Sequence, residues 1–243
     1  MTSDTPNPIH RAPHLTTVFT KRPIPGRVKT RLCPPLSPEQ AAELAQAMLD
    51  DTLARLAARS DFMTALCVAP PGPGAGADAA EAEREWFGER YGAELQVTLQ
   101  RGAQLPERLE QHFAAACSRM PGCTQVVLGS DAPTLPLERV GEAHRVLAEG
   151  ASDVVLGPDF GGGYYLVGLR KPAPVLFRGI PSSSAGMYER TVAAARGAGL
   201  RVFELAQHGD VDTHRDLERL AGEADASCPR TATWLAARRG ERA

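Results

Sequence analysis

Lysine is almost missing from this chain: Lys21, Lys29 and Lys171 are the whole complement in 243 residues. Aromatic residues are also scarce, at 5%. No apolar run comes near the ~18 residues that a membrane-spanning helix needs, so no membrane span is expected. There is no basic excess: 27 Lys and Arg stand against 29 Asp and Glu, for a formal charge of −2. That balance excludes a general nucleic-acid or membrane-surface binder. The five cysteines are odd in number and show no CxxC spacing. Reduced thiols in a cytoplasmic protein are expected, not a disulfide frame or a zinc site, with Cys33 a packing residue. Residues 1–13 are polar and proline-containing, lack a signal-peptide core, and read as a disordered tail. A P-loop, a Gly-x-Ser-x-Gly elbow and an HExxH pair are all absent. Residues 72–77 fit a dinucleotide pattern formally, but lie in a loose Ala/Gly/Pro stretch that makes chance the better explanation.

What is present is a globular composition, 43% hydrophobic and 23% charged, in a strand–helix alternation. Strand patterns fall at 15–19, 62–69, 94–99, 124–129, 152–157, 164–169 and 200–205. Helical periodicity covers 37–60, 105–119, 136–149 and 187–198, with a further helix through Trp86 and Phe87. Ser37, Pro38 and Gln40 form an N-cap, an N1 proline and a capping-box partner, and Thr213 with Asp216 repeats the box. The run 124–129 is the most strand-like and is placed centrally in the sheet. Alternation of this kind predicts an α/β fold: a single three-layer α/β/α domain over 14–223 with a mostly parallel sheet, and a helical extension over 224–243. Ligands of such sheets bind beyond the carboxyl ends of the strands.

Four motifs follow strands. Residues 20–32 hold Lys21, Arg22, Arg27, Lys29 and Arg31, with a turn at Pro25-Gly26 and no acid from 15 to 38. If the chain then runs extended, Arg27, Lys29 and Arg31 project to one side, as a phosphate cradle. Asp131, in Gly129-Ser-Asp-Ala-Pro133, stands at the end of the central strand, where it is placed to bind a divalent cation opposite that loop. Asp210 and Asp212 alternate with Val211, so both can face one side, where two acids repel unless a cation relieves them. His208 and His214 flank them, and Asp216 is the capping acid. Gly161-Gly-Gly163 before Tyr164 and Tyr165 lets the backbone approach a ligand closely. The two tyrosines alternate, so only one is expected to meet it.

In their order, these four motifs resemble the DUF2064 family of glycosyltransferase-like proteins with the GT-A, nucleotide-diphospho-sugar transferase fold. More distantly they resemble phospholactate and molybdenum-cofactor guanylyltransferases. The resemblance implies a nucleotide held by Lys21, Gly26, Arg27, Lys29 and Arg31, with Lys29 and Asp131 catalytic. It implies Mg²⁺ or Mn²⁺ between Asp131 and Asp212, and an acceptor side lined by Gly162, Gly163 and Tyr164. The chain departs from the family at Gly161, where an Asp is usual, and at Ser182, where a Trp is usual; Asp159 is the nearest acid that could compensate for the first. The expectation is a metal-dependent transferase acting on a nucleotide sugar or an NTP and a small-molecule acceptor. Glycosyl transfer leads, nucleotidyl transfer is the alternative, and a nucleotide-binding module without catalysis is the third reading.

Overall fold

A computed structural model describes residues 13–72, 76–92, 95–181 and 186–240. Ser182 lies outside the described residues, as do residues 1–12 of the expected tail. Among the described residues seven strands form one sheet: β1 (His14–Thr20), β2 (Met63–Val68), β3 (Gln96–Leu99), β4 (Thr124–Gly129), β5 (Val154–Pro158), β6 (Tyr164–Leu169) and β7 (Val202–Glu204). Their spatial order is β3-β2-β1-β4-β6-β5-β7. All neighbours are parallel except β6, which runs antiparallel to both β4 and β5. β4 is the middle strand, as expected of the most strand-like run. From β1 the chain builds β2 and β3 on one side, then returns to place β4 on the other. The gap between the ends of β1 and β4 is therefore the topological switch point, where open α/β sheets bind ligands.

The strands alternate, except at the start of β6, where Tyr165 and Leu166 share a layer beside an irregularity at Gly157 and Pro158. Val18, Leu66, Val126, Leu128, Val155 and Leu166 face one apolar layer, while Phe19, Cys67, Val127, Leu156 and Val167 face the other. Helices α1 (Pro38–Ala57), α2 (Ala77–Tyr91) and α4 (Glu138–Ala148) cover the first face through Leu49, Leu53, Phe87, Val140 and Leu147. Helices α3 (Leu105–Arg119) and α5 (Met187–Gly197) cover the second through Leu109, Phe113 and Val192. Each such side chain, taken fully out of water, contributes about 1.5–3 kcal/mol. The five cysteines are free thiols. Among the described residues no helix is long and apolar enough to cross a membrane.

Two smaller packings bear on the site. Helix α6 (His214–Glu223) begins at the capping box of Thr213 and Asp216. Its Leu217 and Leu220 join Leu32, Leu36, Leu44, Met48 and Val211 in a separate apolar cluster. Helix α7 (Pro229–Gly240) docks on α1: buried Asp51 accepts hydrogen bonds from the N–H groups of Arg230 (3.2 Å) and Thr231 (2.8 Å).

Candidate active site

The cluster that joins α6 to the first loop also sets the acids. Leu32 and Val211 are both buried in it. Side chains alternate along an extended segment, so burying Val211 turns Asp210 and Asp212 the other way, toward the sheet. The N–H of Val211 donates to the carbonyl of Asp131 (3.0 Å), tying the two acidic loops together. Arg55 of α1 donates to the carbonyls of Pro133 and Leu135 (2.8 Å for the latter) and braces the turn behind Asp131. The hydroxyls of Thr20 and Ser130 meet at 3.2 Å across the switch point.

Between the acids stands Lys29. Its Nζ lies 2.8 Å from Asp131 Oδ2 and 3.0 Å from Asp212 Oδ1. The lysine side chain is 6% exposed, the two carboxylates 44% and 43%. Burial alone would lower the lysine pKa, but the two carboxylates outweigh it and raise it above its ordinary value. Asp210 is pushed up to about 7, first by burial and then by the charges of Asp212 and Asp159. Acids therefore outnumber the one buried cation here.

This geometry corrects the extended reading of the loop. Lys29 sits in the left-handed region (φ 48°, ψ 35°) and Thr30–Leu32 is a short 3-10 turn. Lys29 is therefore folded inward beneath the cleft, while Arg31 stays 72% exposed, with its guanidinium 3.9 Å from Asp212. Gly26 takes the turn at φ +74°, and Arg27 is exposed beside Gly72; neither borders the cleft. Three cations once placed on one side thus go three ways, because the buried Val28 and Leu32 break the extended run.

The cleft has a volume of about 1080 Å³. Lys21, Arg31, Asp131, Asp212, Gly163 and Tyr164 line it, as do Asp159, Asp210, Gln100, Arg108, Arg215 and Arg219. The last four arginine and glutamine positions lie in ordinary helical or strand-end patterns, and no motif in the sequence marked them. Both Tyr164 and Tyr165 border it, not one alone, since the cleft wraps around the end of β6. The Tyr165 hydroxyl donates to the carbonyl of Ala206 (3.0 Å), and burial raises the pKa of Tyr164. In the glycine loop Asp159 Oδ1 accepts from the N–H groups of Gly161 (2.6 Å) and Gly163 (2.8 Å). Gly162 makes the turn (φ +88°), and its carbonyl takes the N–H of Tyr188 (3.0 Å) rather than lining the cleft. A Cβ on Gly163 would stand 2.6 Å from Asp159 Oδ2, so any larger residue there would displace that carboxylate. Of the two histidines, His208 packs on the Tyr165 ring, its pKa lowered to about 4 by burial and nearby arginines, and His214 faces Glu218 of its own helix. Neither histidine borders the cleft.

Among the described residues no three of His, Cys, Asp and Glu gather closely enough to hold a metal by themselves. Asp131 and Asp212 offer two hard oxygen donors, in a site with surplus negative charge. That set suits Mg²⁺ or Mn²⁺, with substrate phosphates and water filling the rest of the shell.

A mostly parallel seven-stranded sheet, helices on both faces and a charged cleft at its switch point define the fold of the nucleotide-diphospho-sugar transferases, a class of transferases. Within that class the chain belongs to the family described as "Uncharacterized protein conserved in bacteria (DUF2064)", whose model matches residues 52–184. Asp131 and the glycine loop lie inside that match, Lys29 and Asp212 outside it. The chain is 31% identical over 200 residues to the phosphoenolpyruvate guanylyltransferase of Sphaerobacter thermophilus, covering 81% of this chain and 87% of the relative. It superposes on a candidate nucleotide-diphospho-sugar transferase from Desulfovibrio desulfuricans G20 with a TM-score of 0.80 and 33% identity, covering 95% and 96% of the two chains. A cytidylyltransferase from Leptospira borgpetersenii, 14% identical and covered 96% each way, shares the fold at a TM-score of 0.52.

Proposed function

We propose that this chain is a metal-dependent nucleotidyltransferase that moves a nucleoside monophosphate from an NTP to a small acidic acceptor and releases pyrophosphate. The observation that carries the reading is the Asp131–Lys29–Asp212 line at the base of the cleft. It presents two carboxylates that would hold a divalent cation, with Lys21 and Arg31 on the cleft wall above. When bound there, Mg²⁺ or Mn²⁺ supplies charge neutralisation for the phosphates. The chain's own cations do the rest. Lys21 and Arg31 offset charge on the α-phosphoryl and on the departing pyrophosphate, while Lys29 keeps the two acids from repelling each other apart. An acceptor oxygen bonds to the α-phosphorus, and the bond from that phosphorus to the bridging oxygen breaks, with its electron pair leaving on pyrophosphate.

The acceptor loop favours nucleotidyl over glycosyl transfer. Gly161 carries no carboxylate, and Oδ1 of Asp159 is taken by the loop's own N–H groups. A sugar acceptor's hydroxyl needs a base to take its proton, whereas an ionised phosphate or carboxylate oxygen does not. The relative from Sphaerobacter points the same way. Glycosyl transfer is the second reading, favoured by the close superposition on the Desulfovibrio structure. The test is product analysis with each NTP, Mg²⁺ and phosphoenolpyruvate, and with nucleotide sugars. Pyrophosphate supports the proposal; free nucleoside diphosphate supports glycosyl transfer; binding without turnover throughout leaves a non-catalytic module.

A further inference from the structure

At the other end of the cleft is a guanidinium, that of Arg108, which no acid among the described residues answers. Gln100 directly follows β3, and its Nε2 donates to the carbonyls of Thr20 (3.2 Å) and Cys67 (2.8 Å), pinning the ends of β1 and β2. Its Oε1 accepts from Arg108 Nη1 at 3.3 Å. Arg108 Nε donates to the carbonyl of Gly102 (3.0 Å) and Nη2 to that of Ala103 (3.4 Å). All three partners are neutral oxygens. The neighbouring acid, Glu107, is spent on the N–H of Ala103 (2.8 Å). A guanidinium has five N–H groups, so one remains on each terminal nitrogen, in a plane already fixed. That is the donor count that two adjacent acceptors on a flat edge require.

We propose that Arg108 determines base specificity in this cleft by pairing those two N–H groups with O6 and N7 of guanine. The proposal rests on the reading above that a nucleotide occupies the cleft. Position supports it. Asp131 follows β4 and Gln100 follows β3, three strands away across the sheet, or about 14 Å. That separation matches the reach of a nucleotide from its phosphates to its base edge, so with phosphates at the acid end the base arrives at Arg108. Ala69 beyond β2 and the exposed Leu105 at the start of α3 give apolar surface for the ring. Arginine to guanine O6 and N7 is a favourable two-point match, while adenine sets an amino donor against the guanidinium where O6 would be.

Calorimetric titration with GMP, IMP, 7-deaza-GMP and AMP tests this without turnover. GMP and IMP, which keep both acceptors, should bind at least about fivefold more tightly than 7-deaza-GMP and AMP. Arg108→Met should bring all four within about twofold of one another, and Arg108→Lys, which lacks the planar fork, should do the same if the Met variant fails to fold. Wild type that binds AMP as tightly as GMP overturns the proposal, as does failure of all four to bind. So does an Arg108→Met variant that weakens all four equally, which would make Arg108 a phosphate ligand. Failure of the transfer reading shows instead as missing pyrophosphate, with the binding order intact.

Discussion

At the scale of single residues, the asymmetry of burial around Lys29 decides which change hurts. The lysine is almost wholly enclosed, whereas Asp131 and Asp212 are nearly half open to water. Removing both acids as Asn leaves a buried ammonium uncompensated, a loss of about 3–5 kcal/mol. Lys29→Met leaves two carboxylates that water can reach, so chemical denaturation should show a smaller loss for it than for the Asp131→Asn/Asp212→Asn pair. Asp210 gives a pH signature. In the unfolded chain its carboxyl ionises near 3.8, while in the folded chain it holds its proton until about pH 7. Unfolding therefore releases a proton between those values, and Asp210 costs stability as pH rises from 4 to 7, with the cost level above that. Asparagine cannot ionise. Melting curves should show Asp210→Asn gaining on wild type through that window, with about 2–4 °C more at pH 8 than at pH 4.5 for each kcal/mol relieved. A difference independent of pH would contradict the assignment.

At the scale of elements, much was legible and the reasons are local. The capping boxes at Ser37 and Thr213, and the two-fold and 3.6-fold apolar periods, lie in adjacent residues, and the structure has those helices and strands. What was not legible depends on contacts distant in sequence. The antiparallel insertion of β6 between β4 and β5 leaves no mark on its own apolar pattern. The inward fold of Lys29 needs a left-handed non-glycine residue, which the sequence gives no reason to expect; it follows from pairing with Asp212, 183 residues away. Asp51 is a case of the same kind: within α1 it reads as one more helical acid, yet it caps α7. Asp51→Ala leaves those two N–H groups without their acceptor and should cost about 1–2 kcal/mol. Limited proteolysis should then release the C-terminal helix before the sheet unfolds. An unchanged digestion pattern would mean that apolar packing alone holds α7.

At the scale of the whole molecule, one device organises the cleft: a small apolar cluster away from the main core. Leu32 from the first loop and Val211 from the last meet in it, so the lysine and the acid beside them meet too. The four motifs, spread over some 190 residues, were readable as candidates because each follows a strand of an alternating sheet. Their convergence was readable only as a consequence of the fold, and Arg108, inside a plain helical stretch, not at all. The account's central claim is that Asp131 and Asp212, held together by Lys29, carry the cation that binds nucleotide phosphates. The most direct measurement is the thermal shift produced by GTP with and without Mg²⁺, in wild type and in Asp131→Asn and Asp212→Asn singly. At a hundredfold excess over Kd the ligand should stabilise wild type by about 2.7 kcal/mol, a rise of about 5–10 °C that needs Mg²⁺. Either substitution should abolish the Mg²⁺-dependent part, and a metal-dependent shift that survives in both variants would contradict the claim.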